Sequence, residues 1–393
     1  MKKKVGKKVY IGLSGGVDSS VSAALLKAAK PNNFEKLFGR PTPRGFRGYD
    51  VTGVFIKVWQ PDFLPCTWKE DRLDAMRVAA HLDIPFITLD LGKEYKKEVV
   101  DYMVTEYKKG RTPNPDVMCN QHVKFGAFFK KAIAAGADFV ATGHYARVAF
   151  GDRRLTQTKR GLTQKKTTDK YKLLAGVDTE KDQSYFLWTL TQKELSKTLF
   201  PVGGYKKPEV RKLAKKFGLP TAEKKDSQGL CFIGKLDMKD FLKHFIKERQ
   251  GNVLDDRGNV VGKHDGAVFF TLGERHGFTI TQKGVRDMPY YVVAKDMSKN
   301  TITVSHTPLQ TMNKEANKRI AISQINWTSG MSPKEGEQYR ARVRYRQPLE
   351  RCGIAHADEK STEIIFTKPQ IASPGQSLVF YDGDECLGGG VIE

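Results

Sequence analysis

A chain of 393 residues is too long for one ordinary hydrophobic core, and with 39% apolar residues two or three domains are expected. No apolar run approaches the roughly 18 residues of a membrane span, and the opening Met1-Lys2-Lys3-Lys4 lacks the apolar segment of a secretory leader, so a cytoplasmic protein without a membrane partner is expected. The 67 Lys and Arg against 44 Asp and Glu leave a formal charge of +23, which points to a polyanionic partner. Five cysteines, spread at 66, 119, 231, 352 and 386, form no C-x-x-C pair and no disulfide framework, as suits a reducing compartment.

The run Val9-Tyr10-Ile11-Gly12-Leu13 reads as a buried strand, and 21–29, rich in helix formers, as a helix. Between them Ser14-Gly15-Gly16-Val17-Asp18-Ser19-Ser20 turns at its glycines. Backbone N–H groups can face inward there and the helix behind adds partial positive charge, which makes a cradle for a polyphosphate, with Ser14 and Ser19 as hydroxyl donors. The lysine of a G-x-x-x-x-G-K-[ST] loop is missing. Asp18 stands in its place, an anion that makes sense among phosphates if a divalent cation bridges it to the nucleotide.

An insertion rich in Pro, Gly and Arg occupies 31–49. A strand at 51–59, a helix at 69–82, a strand at 86–91, helices at 93–109 and 123–135 and a strand at 139–142 follow. This alternation predicts an α/β domain with a doubly wound parallel sheet, binding its ligand beyond the carboxyl ends of the strands. The 14–20 loop follows one such end and Gly143-His144-Tyr145 another. The basic stretch 151–172 cannot bury a core and is expected to form an exposed hairpin. Helices are expected at 183–190, 208–217 and 238–248, the last capped by Asp237.

From 251 onward short β-rich runs at 267–271, 290–293, 301–304, 320–325, 363–366 and 378–381 alternate with turn residues. That texture predicts a small central β-rich domain and a C-terminal β-barrel, with boundaries drawn at 1–236, 237–306 and 307–393. Arg340, Arg342, Arg344 and Arg346 recur at every second position. In a strand they place four guanidinium groups on one face, suited to a phosphate backbone or to a charge-protected edge.

Two cysteines sit where thiol chemistry is plausible on local grounds. Cys119 precedes the expected helix at 123–135, whose N-terminus favours the thiolate; Asp116, three residues earlier, is better cast as a proton carrier at the substrate than as the activator of a thiol. Cys231 lies in a basic, glycine-flanked loop, 224–234, that suits an accessible nucleophile. Cys66, Cys352 and Cys386 lack such settings and are assigned to packing.

The heptad at 14–20 resembles the SGGxDS loop of ATP pyrophosphatases, which cleave ATP between the α and β phosphates and activate an oxygen as its adenylate. Together with Gly53-Val54-Phe55-Ile56-Lys57, Asn114-Pro115-Asp116-x-x-Cys119-Asn120, Thr142-Gly143-His144-Tyr145, Lys181-Asp182-Gln183-Ser184-Tyr185-Phe186, Gly229-Leu230-Cys231-Phe232, Arg344-Tyr345-Arg346, Pro374-Gly375-Gln376 and Leu387-Gly388-Gly389-Gly390, it is similar to the tRNA-specific 2-thiouridylase family over nearly the whole chain. The resemblance implies an adenine-nucleotide α-hydrolase-like fold that thiolates the wobble uridine of tRNA at C2, using ATP with Mg2+ and sulfur from a donor protein, a cysteine desulfurase or a sulfur relay protein. It further implies ATP against Gly12, Leu13, Ser14, Gly15, Gly16, Val17, Asp18 and Ser19, with Ile56, often Met in the family, and Gly143 near the adenosine. Asn114, Pro115 and Asp116 would meet the target base; His144, Lys181, Asp182, Gln183, Arg344, Tyr345 and Gln376 would contact tRNA. Cys231 would carry the persulfide, and Cys119 would be the nucleophile that links to it transiently through a disulfide. On residues alone two rivals remain: an ATP-pyrophosphatase amide synthetase, which needs no pair of poised thiols, and a non-catalytic RNA-binding protein, which leaves Asp18 unexplained.

Overall fold

The computed structural model describes residues 6–35, 42, 46–64, 68–150, 155–158, 161–164, 170–226, 237–281, 288–308, 318–357 and 361–393. Strand β1 (Lys7–Gly12) leads into α1 (Val17–Ala28); β2 (Tyr49–Lys57), α2 (Trp68–His81) and β3 (Phe86–Asp90) follow. Next come two long helices, α3 (92–108) and α4 (115–134), which contain the π-helical stretches Lys96–Asp101 and Cys119–Phe128, and then β4 (Phe139–Ala141). The hairpin strands β5 (Ala146–Phe150), β6 (Leu155–Thr158), β7 (Gly161–Gln164) and β8 (Tyr171–Ala175) precede the short β9 (Thr198–Leu199), α5 (Lys207–Lys216) and α6 (Met238–Lys243).

The first sheet runs β3-β2-β1-β4-β9 and every pairing in it is parallel. Alternation along the strands sends Val9, Ile11, Val51 and Phe55 to one face, covered by α1, α2 and α5, and Val54, Ile56 and Val140 to the other, covered by α3 and α4. This is the doubly wound arrangement that the strand–helix alternation predicts. From β1 the chain steps outward to β3 and then returns on the other side of β1 with β4, so the crevice beyond β1 and β4 is the natural ligand position.

Helix α4 begins eight residues before the expected start at 123. The side chain of Asn114 caps it, Oδ1 accepting from the N–H of Val117 at 3.2 Å, and Pro115 takes the first helical position. The helix expected at 183–190 is a single 3-10 turn, Ser184–Leu187, because Asp182 Oδ1 accepts the N–H groups of both Ser184 and Gly176 at 3.0 Å. Asp237 does cap α6, accepting from the N–H of Asp240 at 3.0 Å.

The central sheet is built from β10 (Gly251–Leu254), β11 (Val260–His264), β12 (Phe278–Ile280), β13 (Tyr291–Asp296) and β14 (Thr301–Ser305), in the order β12-β11-β10-β14-β13. The strand expected at 267–271 is instead the 3-10 turn Ala267–Phe269, whose first N–H goes to the side chain of Asn300 rather than to a neighbouring strand.

The C-terminal barrel consists of β15 (Arg319–Trp327), β16 (Gln338–Arg342), β17 (Glu350–Ala357), β18 (Ser361–Phe366), β19 (Ser377–Asp382) and β20 (Glu385–Ile392), closed by pairing of β15 with β20. Ile322, Ala341, Ile354, Ile364, Phe366, Leu378 and Phe380 fill its interior. The α/β domain adds strands to this sheet: β8 pairs with β20 through Leu173–Cys386 and Leu174–Glu385, and β5 lies beyond β8. Distal to that stem, β6 and β7 pair with each other as the hairpin expected within 151–172. The row of four arginines is not one face of a strand. Strand β16 stops at Arg342, which is buried, and Arg346 lies in a turn at φ +63. Among the described residues no helix is long and apolar enough to cross a membrane.

Candidate active site

The 12–19 loop leaves the carboxyl end of β1 and is fixed by its own small side chains. Ser14 Oγ and Ser19 Oγ lie 3.1 Å apart, Ser19 Oγ also accepts from the N–H of Ser14 at 3.2 Å, and the hydroxyls of Ser19 and Ser20 donate to the carbonyl of Gly16. Gly15 sits at φ +74 with its Cα facing the backbone of Asp71, so close that a Cβ would lie 2.3 Å from that carbonyl oxygen. Gly16 caps α1 without a side-chain hydrogen bond, which leaves the first-turn N–H groups directed at the loop. Gly143, after β4, packs on the same turn: a Cβ there would lie 2.7 Å from the backbone nitrogen of Ser19. Ile56, at the end of β2, is buried. The expected nucleotide residues therefore gather at the carboxyl ends of three adjacent strands.

Asp18 points into a network of charge that the sequence alone did not disclose. Lys207, at the start of α5, bridges both its carboxylate oxygens at 2.7 and 2.9 Å, and the hydroxyl of Tyr145 donates to Oδ1 at 2.8 Å. Lys207 Nζ also meets Asp226 at 2.8 Å, which Lys181 and Arg211 approach at 2.9 and 2.7 Å. Burial alone would raise the Asp226 carboxyl, but hydrogen bonds from Lys207 and Lys181 outweigh it and hold the group at about 2. Desolvation and the neighbouring Asp18 push the Tyr145 phenol upward, so it stays a neutral donor. A lysine thus does stand at the 12–19 loop, contributed from 189 residues away.

Cys119 is fully buried and lies inside α4, five residues past the Asn114 cap, rather than at a helix N-terminus. The dipole argument for its thiolate, which fades beyond the first turn, loses its basis there. Asp116, half-buried in the first turn, lends its carbonyl to the side chain of Asn120 at 2.9 Å. Two contacts tie α4 to the ends of β1 and β4: Phe128 packs over Gly12, and Lys124 Nζ lies 3.3 Å from His144 Nε2. An ammonium can only donate, so Nε2 accepts and Nδ1–H donates to Thr142 Oγ1 at 2.7 Å. Burial, then Lys124, hold the His144 imidazole well below its ordinary pKa and neutral. Cys231 falls outside the described residues, as does Cys66. Cys352 and Cys386 are buried, and desolvation pushes both thiols up to about 12, which fits packing.

Residues expected to contact tRNA divide by exposure. Lys181, Asp182 and Gln183 tie three regions together: Lys181 to Asp226, Asp182 to Arg342 of the barrel at 2.9 Å, and Gln183 Oε1 to the N–H of Tyr145 at 3.0 Å. Asp182 and His144 are buried. Arg344 donates to the carbonyl of Leu272 and the hydroxyl of Ser373, and Tyr345 packs on Phe186 with ring centroids 4.4 Å apart. Gln376 donates to the carbonyls of Thr112 and Pro113, so the barrel grips the segment that leads to Asn114, Pro115 and Asp116.

Family models match in three successive pieces: a tRNA methyl transferase HUP domain at 45–235, a tRNA methyl transferase PRC-barrel domain at 239–306 and an aminomethyltransferase β-barrel domain at 317–392. Relatives named tRNA-specific 2-thiouridylase MnmA, from Streptococcus thermophilus and Thiobacillus denitrificans, are each 42% identical over 98% of this chain and over 95% and 99% of their own lengths. The chain belongs to the tRNA-specific 2-thiouridylase family. The domain descriptions speak of methyl transfer and the relatives' names of thiolation; identity along the full length carries the latter. Among solved structures, a U34-tRNA thiolase NcsA from Methanococcus maripaludis with its [4Fe-4S] cluster aligns at a TM-score of 0.34 and 17% identity, over 62% of this chain and 66% of that one. Within this family member, sequence reasoning passed over Lys207, Arg211 and Asp226. One signal was available: a lysine at the first position of a helix opposes the helix dipole and needs an acceptor.

Proposed function

We propose that the protein is a cytoplasmic tRNA-uridine 2-sulfurtransferase that activates C2 of the wobble uridine with ATP and replaces its oxygen by sulfur, releasing AMP and pyrophosphate. The observation that carries this reading is full-length identity to named 2-thiouridylases, joined to a phosphate-type loop at the sheet's switch point. In it, Gly12, Leu13, Ser14, Gly15, Gly16, Val17, Asp18 and Ser19 hold the phosphates through loop N–H groups and the α1 N-terminus, while Ile56 and Gly143 line the adenosine. Among the described residues no three acidic, His or Cys side chains converge as a metal site. A Mg2+ ion needs only one or two carboxylates when phosphates supply the rest, so Asp18 would hold an ion that arrives with the nucleotide once the Lys207 ammonium, which bridges both its oxygens, turns to the phosphates; the ion would supply neutralising charge.

The C2 oxygen of uracil attacks the α phosphate and pyrophosphate leaves, which turns a poor leaving group into AMP. Asn114, Pro115 and Asp116 orient the base, and Asp116 carries the proton. Sulfur comes from a persulfide on Cys231, loaded by a cysteine desulfurase or sulfur relay protein. Cys119 attacks the Cys231 sulfur, either to release sulfide or to resolve the disulfide left by direct transfer. Both routes end with a Cys119–Cys231 disulfide that an external thiol reduces. His144, Lys181, Asp182, Gln183, Arg344, Tyr345 and Gln376 contact or position the tRNA.

The test is mass spectrometry of tRNA nucleosides after incubation with ATP and a persulfide source, beside an assay of pyrophosphate release. Cys231→Ser is expected to keep tRNA-dependent pyrophosphate release and make no thiouridine, whereas Asp18→Ala loses both. Full thiolation by Cys231→Ser rules out the persulfide assignment.

A further inference from the structure

Three cations converge on one carboxylate beside the nucleotide loop. Lys207, Lys181 and Arg211 lie 2.8, 2.9 and 2.7 Å from Asp226, and Lys207 reaches Asp18 with the same ammonium. The Lys207 side chain is only 13% exposed, so its charge is largely withdrawn from water and must be answered locally. Two acceptor groups answer it, one on the phosphate loop itself and one on a segment from far along the chain. Arg211 is anchored by donating to the carbonyls of Ala222 and Lys224 as well. Its planar fork therefore stays in place whichever anion stands in front of it, while the four-carbon stem of Lys207 can pivot.

We infer that Lys207, with Arg211 behind it, is a phosphate ligand of the bound nucleotide, and that the Asp226 carboxylate is an internal anion which holds that position and is displaced when the polyphosphate enters. The inference rests on the reading of 12–19 as the ATP loop. It accounts for three features together: a lysine where the helix dipole disfavours one, a carboxylate placed among three cations, and a phosphate loop whose own lysine is missing. Arginine and lysine at this point are the donors that phosphoryl oxygens require. The lysine of the loop is thus supplied by α5, with Asp226 as its competitor.

The experiment is calorimetric titration of the full chain, without tRNA, with inorganic pyrophosphate and with ATP. Asp226→Asn is expected to bind pyrophosphate about tenfold more tightly, since a competing anion is removed, and Lys207→Met about tenfold more weakly. The double variant should bind pyrophosphate several-fold more weakly than Asp226→Asn, because the lysine which that substitution frees is gone and Arg211 remains. Unchanged or weaker pyrophosphate binding by Asp226→Asn, with normal ATP binding by the wild type, overturns the inference and leaves the ATP reading intact. Wild-type protein that binds neither ligand overturns both. If Lys207→Met fails to fold, Asp226→Asn, altered only at a partly exposed side chain, decides alone.

Discussion

Replacing Asp182 by Asn tests whether this buried residue ties domains together or reads tRNA. Its carboxylate accepts the N–H groups of Gly176 and Ser184 and the Ser184 hydroxyl, each at 3.0 Å, and the Arg342 guanidinium at 2.9 Å, with side-chain exposures of 4% and 9% across the ion pair. Asn keeps the shape and one acceptor but cannot balance Arg342, which then stays buried without a counter-charge. Removing one partner of such a pair costs about 3–5 kcal/mol. Replacing both, as in Asp182→Asn with Arg342→Met, removes the orphaned charge and should recover about 2 kcal/mol or more of that loss. Urea unfolding followed by tryptophan fluorescence gives the readout, since Trp327 packs on Phe380 in the barrel and Trp188 donates to Ser377 at its junction with the α/β domain. An unchanged unfolding midpoint for Asp182→Asn, together with weakened tRNA binding, refutes the structural assignment and makes Asp182 a direct tRNA contact. Additive losses in the double variant refute the coupling.

Gly143→Ala puts a Cβ 2.7 Å from the backbone nitrogen of Ser19 and 2.9 Å from the carbonyl carbon of Asp18, so the loop must move. A stability loss of about 1–3 kcal/mol and a clear rise in KM for ATP in a pyrophosphate-release assay are expected; a wild-type KM separates Gly143 from the nucleotide. Burial outweighs the pull of Glu274 and holds Lys295 at about 8, below its ordinary 10.5, although its ammonium donates to the carbonyls of Gly110 and Phe270. Below pH 8 folded and unfolded chains both carry this charge and the burial cost is felt in full. Between pH 8 and 10.5 the folded chain loses the proton first, so stability rises with pH, by up to about 3 kcal/mol. Urea midpoints at pH 8, 9 and 10 should show this rise in the wild type and not in Lys295→Met; parallel slopes contradict the assignment.

The order of strands and helices as far as β4, the parallel sheet and the 14–20 loop were legible in the chain because each depends on neighbouring residues: apolar periodicity, glycine in a tight turn, a small-residue helix start. The loop's position at the end of β1 followed with them. So did the packing role of Cys352 and Cys386, which lie within β17 and β20 and neither beside a helix start nor in a basic loop. The start of α4 was legible too, in Asn114-Pro115, a cap followed by proline at the first helical position, yet the reading placed it at 123 and so set Cys119 too near a helix end.

Contacts between distant segments were beyond such reading. Four alternating arginines have the period of a strand, but Arg342 is drawn inward by Asp182, 160 residues away, and the strand ends there. The pairing of β8 with β20 uses Glu385 and Cys386, the end of β20 that runs past its pairing with β15, and no local pattern encodes that overhang. Lys207 and Asp18 are likewise joined only by the fold. Sequence by itself determined the family, the small-residue loop after β1 and the class of each domain, since these follow from local preference and periodicity. Tertiary structure alone decided which charges neutralise one another, because a buried ion is stable only beside a partner, and that partner is chosen by packing and not by proximity along the chain.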